Sequence, residues 1–83
     1  MRTSVEISYY PLYDEFLNPI RDFINRINKY PNLVVQTNGM STQIFGKYSD
    51  IMTALSHEIQ ESFELPHSVF IIKIVNADLQ KNT

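Results

Sequence analysis

The chain has no cysteine and no tryptophan, only two glycines among its 83 residues, and no excess of positive charge. Without cysteine there is no disulfide framework, no thiolate zinc site and no thiol nucleophile. Seven Lys and Arg against nine Asp and Glu leave a net charge of -2, which does not provide the concentrated basic surface a dedicated nucleic-acid binder needs. Two Gly and four Pro are too few for a flexible or disordered chain. No apolar run approaches the roughly 18 residues of a membrane span, and Met1-Arg2-Thr3-Ser4 leads straight into an alternating segment rather than a signal-peptide core. The expectation is a soluble, cytoplasmic protein without a membrane or nucleic-acid partner.

What remains is ordinary globular composition, 43% hydrophobic and 12% aromatic. It suits one domain over residues 1–83, with an ordered core from about residue 4 to about residue 76 and a polar C-terminal tail. A domain of this size has a small core, so a homo-oligomer, dimer or tetramer, is expected.

Six elements follow from periodicity. Val5, Ile7 and Tyr9 alternate with Glu6, Ser8 and Tyr10 as in a half-buried strand, which Pro11 ends. Phe16, Leu17, Ile20, Phe23, Ile24 and Ile27 recur at helical spacing. Asn18 as cap and Pro19 as first helical residue place the helix start at Pro19 and its end near Lys29. Leu33, Val34 and Val35 open a second strand. Asn38-Gly39 reads as a two-residue hairpin turn, with a third strand from Met40 to about Tyr48. Ser49 and Asp50 suit a helix cap, and Ile51, Met52, Leu55, Ile59 and Phe63 form one apolar face before Leu65-Pro66 breaks the helix. Val69 to Val75 form the last strand, apolar on both faces except for Lys73.

The order βαββαβ predicts an α+β, ferredoxin-like fold: a four-stranded antiparallel sheet with two helices on one face. There the first strand lies centrally beside the third, which brings Ser8 and Tyr10 near Ser41 and Thr42. With a two-residue turn, Thr37 faces Met40 and Val35 faces Thr42, so Thr42 points to the helix side while Ser8 and Ser41 point away from it.

The hydroxyls around the Asn-Gly turn exceed what a turn needs. Ser8, Thr37, Asn38, Ser41, Thr42 and Gln43 are candidate readers of the edge of a small heterocycle, with Tyr9, Tyr10 and Phe45 as candidate walls and Glu6, Asp14 and Glu15 as local anions. Plainer roles stand beside these. Asn38 and Gly39 are foremost turn formers, Ser8 and Thr42 equally suit strands without a ligand, Tyr9 suits a core, and Gly46 marks a bulge or close packing.

The segment Glu6-Ile7-Ser8-Tyr9-Tyr10-Pro11-Leu12, followed by Asp14-Glu15-Phe16-Leu17, resembles the first strand and loop of the YkoF-like thiamine/hydroxymethylpyrimidine-binding proteins. Val35-Gln36-Thr37-Asn38-Gly39-Met40-Ser41-Thr42, with Gly46 after it, is similar to their hairpin, and the likeness in element order runs from about residue 5 to about residue 75. The resemblance implies a ferredoxin-like domain that binds thiamine or its pyrimidine moiety without chemistry, with no cofactor beyond that ligand. It assigns ligand contact to Thr42, matching the Thr of the family's Ser-Thr pair, with Ser8 and Ser41 in support. YkoF carries two such domains in tandem and this chain one, so a site between domains would here lie between subunits.

No nucleophile and base pair is evident, so no catalytic residue is assigned. His57 and His67 stand alone, without the spacing of a metal site. The loop Pro11-Leu12-Tyr13-Asp14-Glu15 lacks the Arg and Gly of a phosphate cradle. An alternative without a ligand is an interaction or assembly module that pairs through the open sheet face, because helices cover only one face of the apolar last strand.

Overall fold

The alternation read at Val5, Ile7 and Tyr9 extends further towards the N-terminus, giving a ten-residue strand β1 (Arg2–Pro11). The structure is a computed structural model describing residues 1–80, and the last three residues of the expected polar tail lie outside them. After β1 come α1 (Leu17–Ile27), β2 (Val34–Thr37), β3 (Thr42–Lys47), α2 (Tyr48–Ser62) and β4 (Ser68–Val75). The sheet is four-stranded and antiparallel in the order β2-β3-β1-β4, the ferredoxin-like arrangement. Core side chains come from Val5, Ile7 and Tyr9 of β1, Ile44 of β3, Phe23 and Ile27 of α1, and Ile51, Ala54 and Leu55 of α2. Tyr9 is a core residue: its ring stacks on Phe70 at 4.3 Å, and its hydroxyl shares a 2.8 Å hydrogen bond with Ser68.

Both helices start earlier than the sequence suggests. Helix α1 begins at Leu17, so Asn18 does not cap it; Glu15 accepts the Asn18 N–H at 3.3 Å instead. Pro19 then falls inside the first turn, where its missing N–H is one of the donors that have no intrahelical partner. Helix α2 begins at Tyr48 because the Met1 carbonyl takes the Tyr48 N–H at 2.9 Å, which removes the need for a Ser49 or Asp50 cap. Asp50 instead sits in the first turn, where the helix dipole favours a negative charge.

The hairpin differs by two residues. Thr37 pairs with Thr42 and Val35 with Ile44, so Asn38 to Ser41 form a four-residue loop rather than an Asn38-Gly39 turn. Asn38 Oδ1 accepts the N–H groups of Met40 and Ser41 at 2.8 and 3.2 Å, closing an Asx turn that competes with strand pairing. Neither glycine has positive φ, so the type I′ conformation is absent. A slip of two residues leaves every side chain on its expected face. Gly46 is a close approach: a Cβ there would lie 3.0 Å from Leu33 Cδ2 and 3.3 Å from the Asn32 carbonyl.

The buried face of α2 is rotated from the expected stripe. Ile51, Ala54, Leu55, Glu58 and Ser62 are buried, whereas Phe63 is exposed. The reason is a polar clamp between the helices. Arg26 Nε donates to Glu58 Oε1 at 2.6 Å and Arg26 Nη2 to Ser62 Oγ at 2.7 Å, while Tyr30 donates to Glu58 Oε2 at 2.7 Å. Asp22 pairs with the same guanidinium from one turn earlier. Burial pushes the Glu58 carboxyl up, but the Tyr30 and Arg26 hydrogen bonds and the Arg26 charge outweigh it and hold it below the ordinary carboxylate range. The bond to Glu58, followed by burial, raises the Tyr30 hydroxyl above its ordinary value.

Gly39→Ala, in open space without positive φ, changes stability by less than about 0.5 kcal/mol, whereas Gly46→Ala costs about 1–3 kcal/mol by overpacking; urea denaturation distinguishes them. Glu58 titrates lower in the folded chain, so its contribution is present above the unfolded value of about 4.3 and is lost as pH falls through the folded value. Below about pH 4.3 the stability of Glu58→Gln therefore falls less steeply with acid than that of the parent. Arg26→Ala, which leaves the buried carboxylate without its charge partner, costs about 3 kcal/mol at neutral pH.

Candidate functional site

The two neighbours of β1 stop at different places. β3 starts at Thr42, opposite Ile7, whereas β4 continues alongside β1 to Pro11. Beyond Ile7 the hairpin loop therefore leaves the sheet, and a cavity of about 440 Å³ opens between β1, the loop and α1. Ser8, Tyr10, Thr37, Asn38, Ser41 and Thr42 all line it, so residues from two distant segments meet in one place. Gln43 and Phe45 do not. Parity puts both on the other sheet face, where they line a separate depression of about 240 Å³ with Ser4 and Leu79. The anions Glu6, Asp14 and Glu15 also lie outside the lining of the 440 Å³ cavity.

The floor was missed in the sequence. Phe16, Ile20, Phe23 and Ile24 present an apolar surface from α1 and the turn before it, with Leu12 and Met40 at the sides. A signal was there: the apolar stripe of α1 starts at Phe16, before the helix, and so reaches past the last paired residue of β3.

Hydroxyl bookkeeping separates the polar residues. Thr37 and Thr42 share a hydrogen bond of 3.1 Å, which uses one of their two protons and leaves one proton and spare lone pairs for another partner. Such a pair can act as donor or acceptor. Ser41 Oγ donates to Glu6 Oε2 at 2.9 Å and accepts from Gln43 Nε2 at 2.8 Å, so its proton is committed. The Asn38 carbonyl oxygen is held by the Asx turn, and its Nδ2 donors remain. Tyr10 is half exposed on the face opposite Tyr9 and can cover one side of a ligand at the rim.

Charge stays outside. Among the described residues, none that lines the cavity is Asp, Glu, His, Lys or Arg. The nearest ion pair, Lys73 with Glu6 at 3.4 Å, lies on the open face behind Ser41. Ser41's hydrogen bond, then the hydrogen bond and charge of Lys73, hold the Glu6 carboxyl below its ordinary value. An apolar floor with neutral hydrogen-bonding groups at one end suits a flat, uncharged or weakly polar heterocycle. No helix among the described residues is long and apolar enough to cross a membrane.

No protein-family model matches the chain, and no curated protein matches it. Solved structures do. A hypothetical protein of Methanocaldococcus jannascii is 25% identical with a TM-score of 0.80, covering 99% of this chain and 87% of its own. A Thermotoga maritima protein provisionally assigned to thiamine biosynthesis or salvage is 16% identical with a TM-score of 0.82, covering 96% of this chain and 85% of its own. A domain of unknown function, DUF77, from Bacillus cereus is 13% identical with a TM-score of 0.72, covering 100% of this chain and 83% of its own. These likenesses show a shared fold along nearly the whole chain.

Proposed function

We propose that this chain belongs with the YkoF-like thiamine-binding proteins and binds thiamine or its hydroxymethylpyrimidine moiety without transforming it, as a cytoplasmic carrier, buffer or sensor. The observation that carries the reading is the charge-free cavity, where an apolar floor from α1 meets the Thr37 and Thr42 hydroxyls. The thiamine-related assignment of the Thermotoga maritima protein with the same fold supports it.

An aminopyrimidine carries an amine donor and ring-nitrogen acceptors, which match a hydroxyl pair able to work in either direction. Ser8 and the Asn38 amide are placed to add further bonds at the rim. Tyr10 offers an aromatic face to a thiazolium cation. Ser41 acts behind the pocket by holding Glu6, a negative charge that favours a cationic ligand over an anionic one. A phosphate group would meet no Lys or Arg among the described lining residues, so the unphosphorylated compounds are the favoured ligands. Among the described lining residues no carboxylate, imidazole or amine stands beside the hydroxyls to activate them, which supports binding without catalysis.

A second observation favours assembly. β4 is an edge strand whose Ile71 is 62% exposed on the open face and whose Ile74 is 47% exposed on the helix side, because the helices do not reach over the edge. Pairing of copies through this strand and the open face, as a dimer or tetramer, would cover both. The tail narrows the available area: Ser4 Oγ donates to the Ala77 carbonyl at 2.6 Å and accepts the Leu79 N–H at 2.8 Å, drawing residues 77–79 over one end of the face.

Calorimetry and thermal melting test the ligand. Thiamine or hydroxymethylpyrimidine at about 100 times its Kd adds about 2.7 kcal/mol of stability, and thiamine diphosphate at the same concentration adds less. Thr42→Val keeps the fold and weakens binding about fivefold by removing one hydroxyl. No heat and no melting shift with either compound would end the proposal. For assembly, light scattering at micromolar concentration gives an oligomer for the parent and a monomer for Ile71→Glu; a monomeric parent rejects it.

A further inference from the structure

Strand β1 has a main-chain gap at Tyr9. Leu12 donates its N–H to the His67 carbonyl at 2.9 Å, in register with the β1–β4 ladder, so the even-numbered residues of β1 direct their backbone groups to β4. Tyr48 donates to the Met1 carbonyl at 2.9 Å, in register with the β1–β3 ladder, so the odd-numbered residues direct theirs to β3. The stacked Tyr9 and Phe70 rings agree, since side chains lie closer in a pair that is not hydrogen-bonded.

Ile7 meets Thr42, and the next position facing β3 is Tyr9. Its partner in that register would be Met40. Met40 is diverted: its N–H goes to Asn38 Oδ1 in the Asx turn. No loop, turn or side-chain hydrogen bond among the described residues reaches the Tyr9 N–H or C=O. The following odd residue is Pro11, whose missing N–H is harmless where no strand lies opposite. Consecutive residues from Ile7 to Leu12 all line the cavity although their side chains alternate between faces, so the cavity abuts the edge of the strand. A buried backbone donor and acceptor without partners mark a position filled by solvent or ligand.

We infer that the Tyr9 N–H and C=O are the main-chain half of the site, taking a flat ligand that carries an acceptor and a donor side by side. The two groups of one extended residue point the same way, as do the ring nitrogen and exocyclic amine of a 4-aminopyrimidine. The ligand edge then replaces the one rung that Met40 gives up, while the threonine pair binds elsewhere on the ring. A peptide strand is the poorer occupant, because Pro11 offers no donor for a second rung and the hairpin loop closes the far side. This inference rests on the proposed ligand class and adds the atoms that select it.

Amide exchange by NMR on the full chain tests it, with 4-amino-5-hydroxymethyl-2-methylpyrimidine and its analogue bearing hydrogen in place of the amine as probes. In the free protein the Tyr9 amide exchanges at least about tenfold faster than those of Val5 and Ile7; the aminopyrimidine slows it at least about tenfold, and the analogue, which keeps the ring nitrogen but lacks the donor for the Tyr9 C=O, slows it less at the same concentration. Equal protection of Tyr9 and Ile7 in the free chain overturns the inference. Perturbed Thr37 and Thr42 signals with unchanged Tyr9 exchange overturn it too, yet leave the proposed function standing. No perturbation around the cavity by the aminopyrimidine or by thiamine rejects both.

Discussion

The unequal pairing of β1 is the constraint from which the remaining architecture follows. As the central strand it must satisfy backbone groups on both edges, yet β3 covers it from Arg2 to Ile7 and β4 from Ser4 to Pro11. Each neighbour therefore leaves an end of β1 uncovered. At the N-terminal end the tail returns to Ser4 and brings Asp78 to within 3.8 Å of Arg2. At the C-terminal end no described residue fills the corresponding place along β1 on its β3 side, and the cavity is that vacancy. A cavity made by withholding one rung of a ladder needs no inserted loop, which suits a chain with so small a core.

The vacancy keeps its shape only if α1 stays over it, and α1 is held from behind. Arg26 lies on the helix face that meets α2, where it binds the Glu58 carboxylate and carbonyl together with Ser62. A buried pair of this kind adds little net stability over an apolar contact. Its strict geometry, however, fixes the rotation and register of one helix against the other. Because Phe23 and Ile27 of α1 enter the core while Ile20 and Ile24 reach the cavity, a rotation of α1 would change the floor and the core together. The clamp thus connects the polar back of the molecule to the apolar floor of the site.

Period and face were legible in the sequence, whereas competition for individual hydrogen bonds was not. The alternation of Val5, Ile7 and Tyr9 locates β1 because these three are buried while Glu6, Ser8 and Tyr10 are more exposed. Even with the hairpin loop misread, Thr42 was assigned to the correct face, since a two-residue change of register preserves parity. The loop itself depends on whether the Asn38 side chain or the opposite strand wins the Met40 N–H, and residue preferences favour both. Likewise, Asn18 and Ser49 are good caps, but Glu15 in the turn before α1 takes the Asn18 N–H and the distant Met1 carbonyl takes the Tyr48 N–H. The buried face of α2 was misplaced because Glu58 reads as a surface residue until Arg26 and Tyr30 arrive from α1 and the turn after it.

Ser41 and Thr42, adjacent in sequence, have opposite tasks for the same geometric reason. Strand parity sends Thr42 under the helices, where its hydroxyl meets Thr37, and Ser41 to the open face, where it meets Glu6 and Gln43. The proton on Ser41 is held by a carboxylate, and a charge-assisted bond of that kind is about twice as strong as a neutral one. A ligand would have to break it to recruit Ser41 as a donor, whereas the threonine pair gives up nothing. On the proposed function, direct reading of a ligand would therefore fall to Thr42 and Thr37, with Ser41 acting through the charge it stabilises behind them. The surplus of hydroxyls around the hairpin is thus divided by the sheet into a group that faces the cavity and a group that sets the field around it.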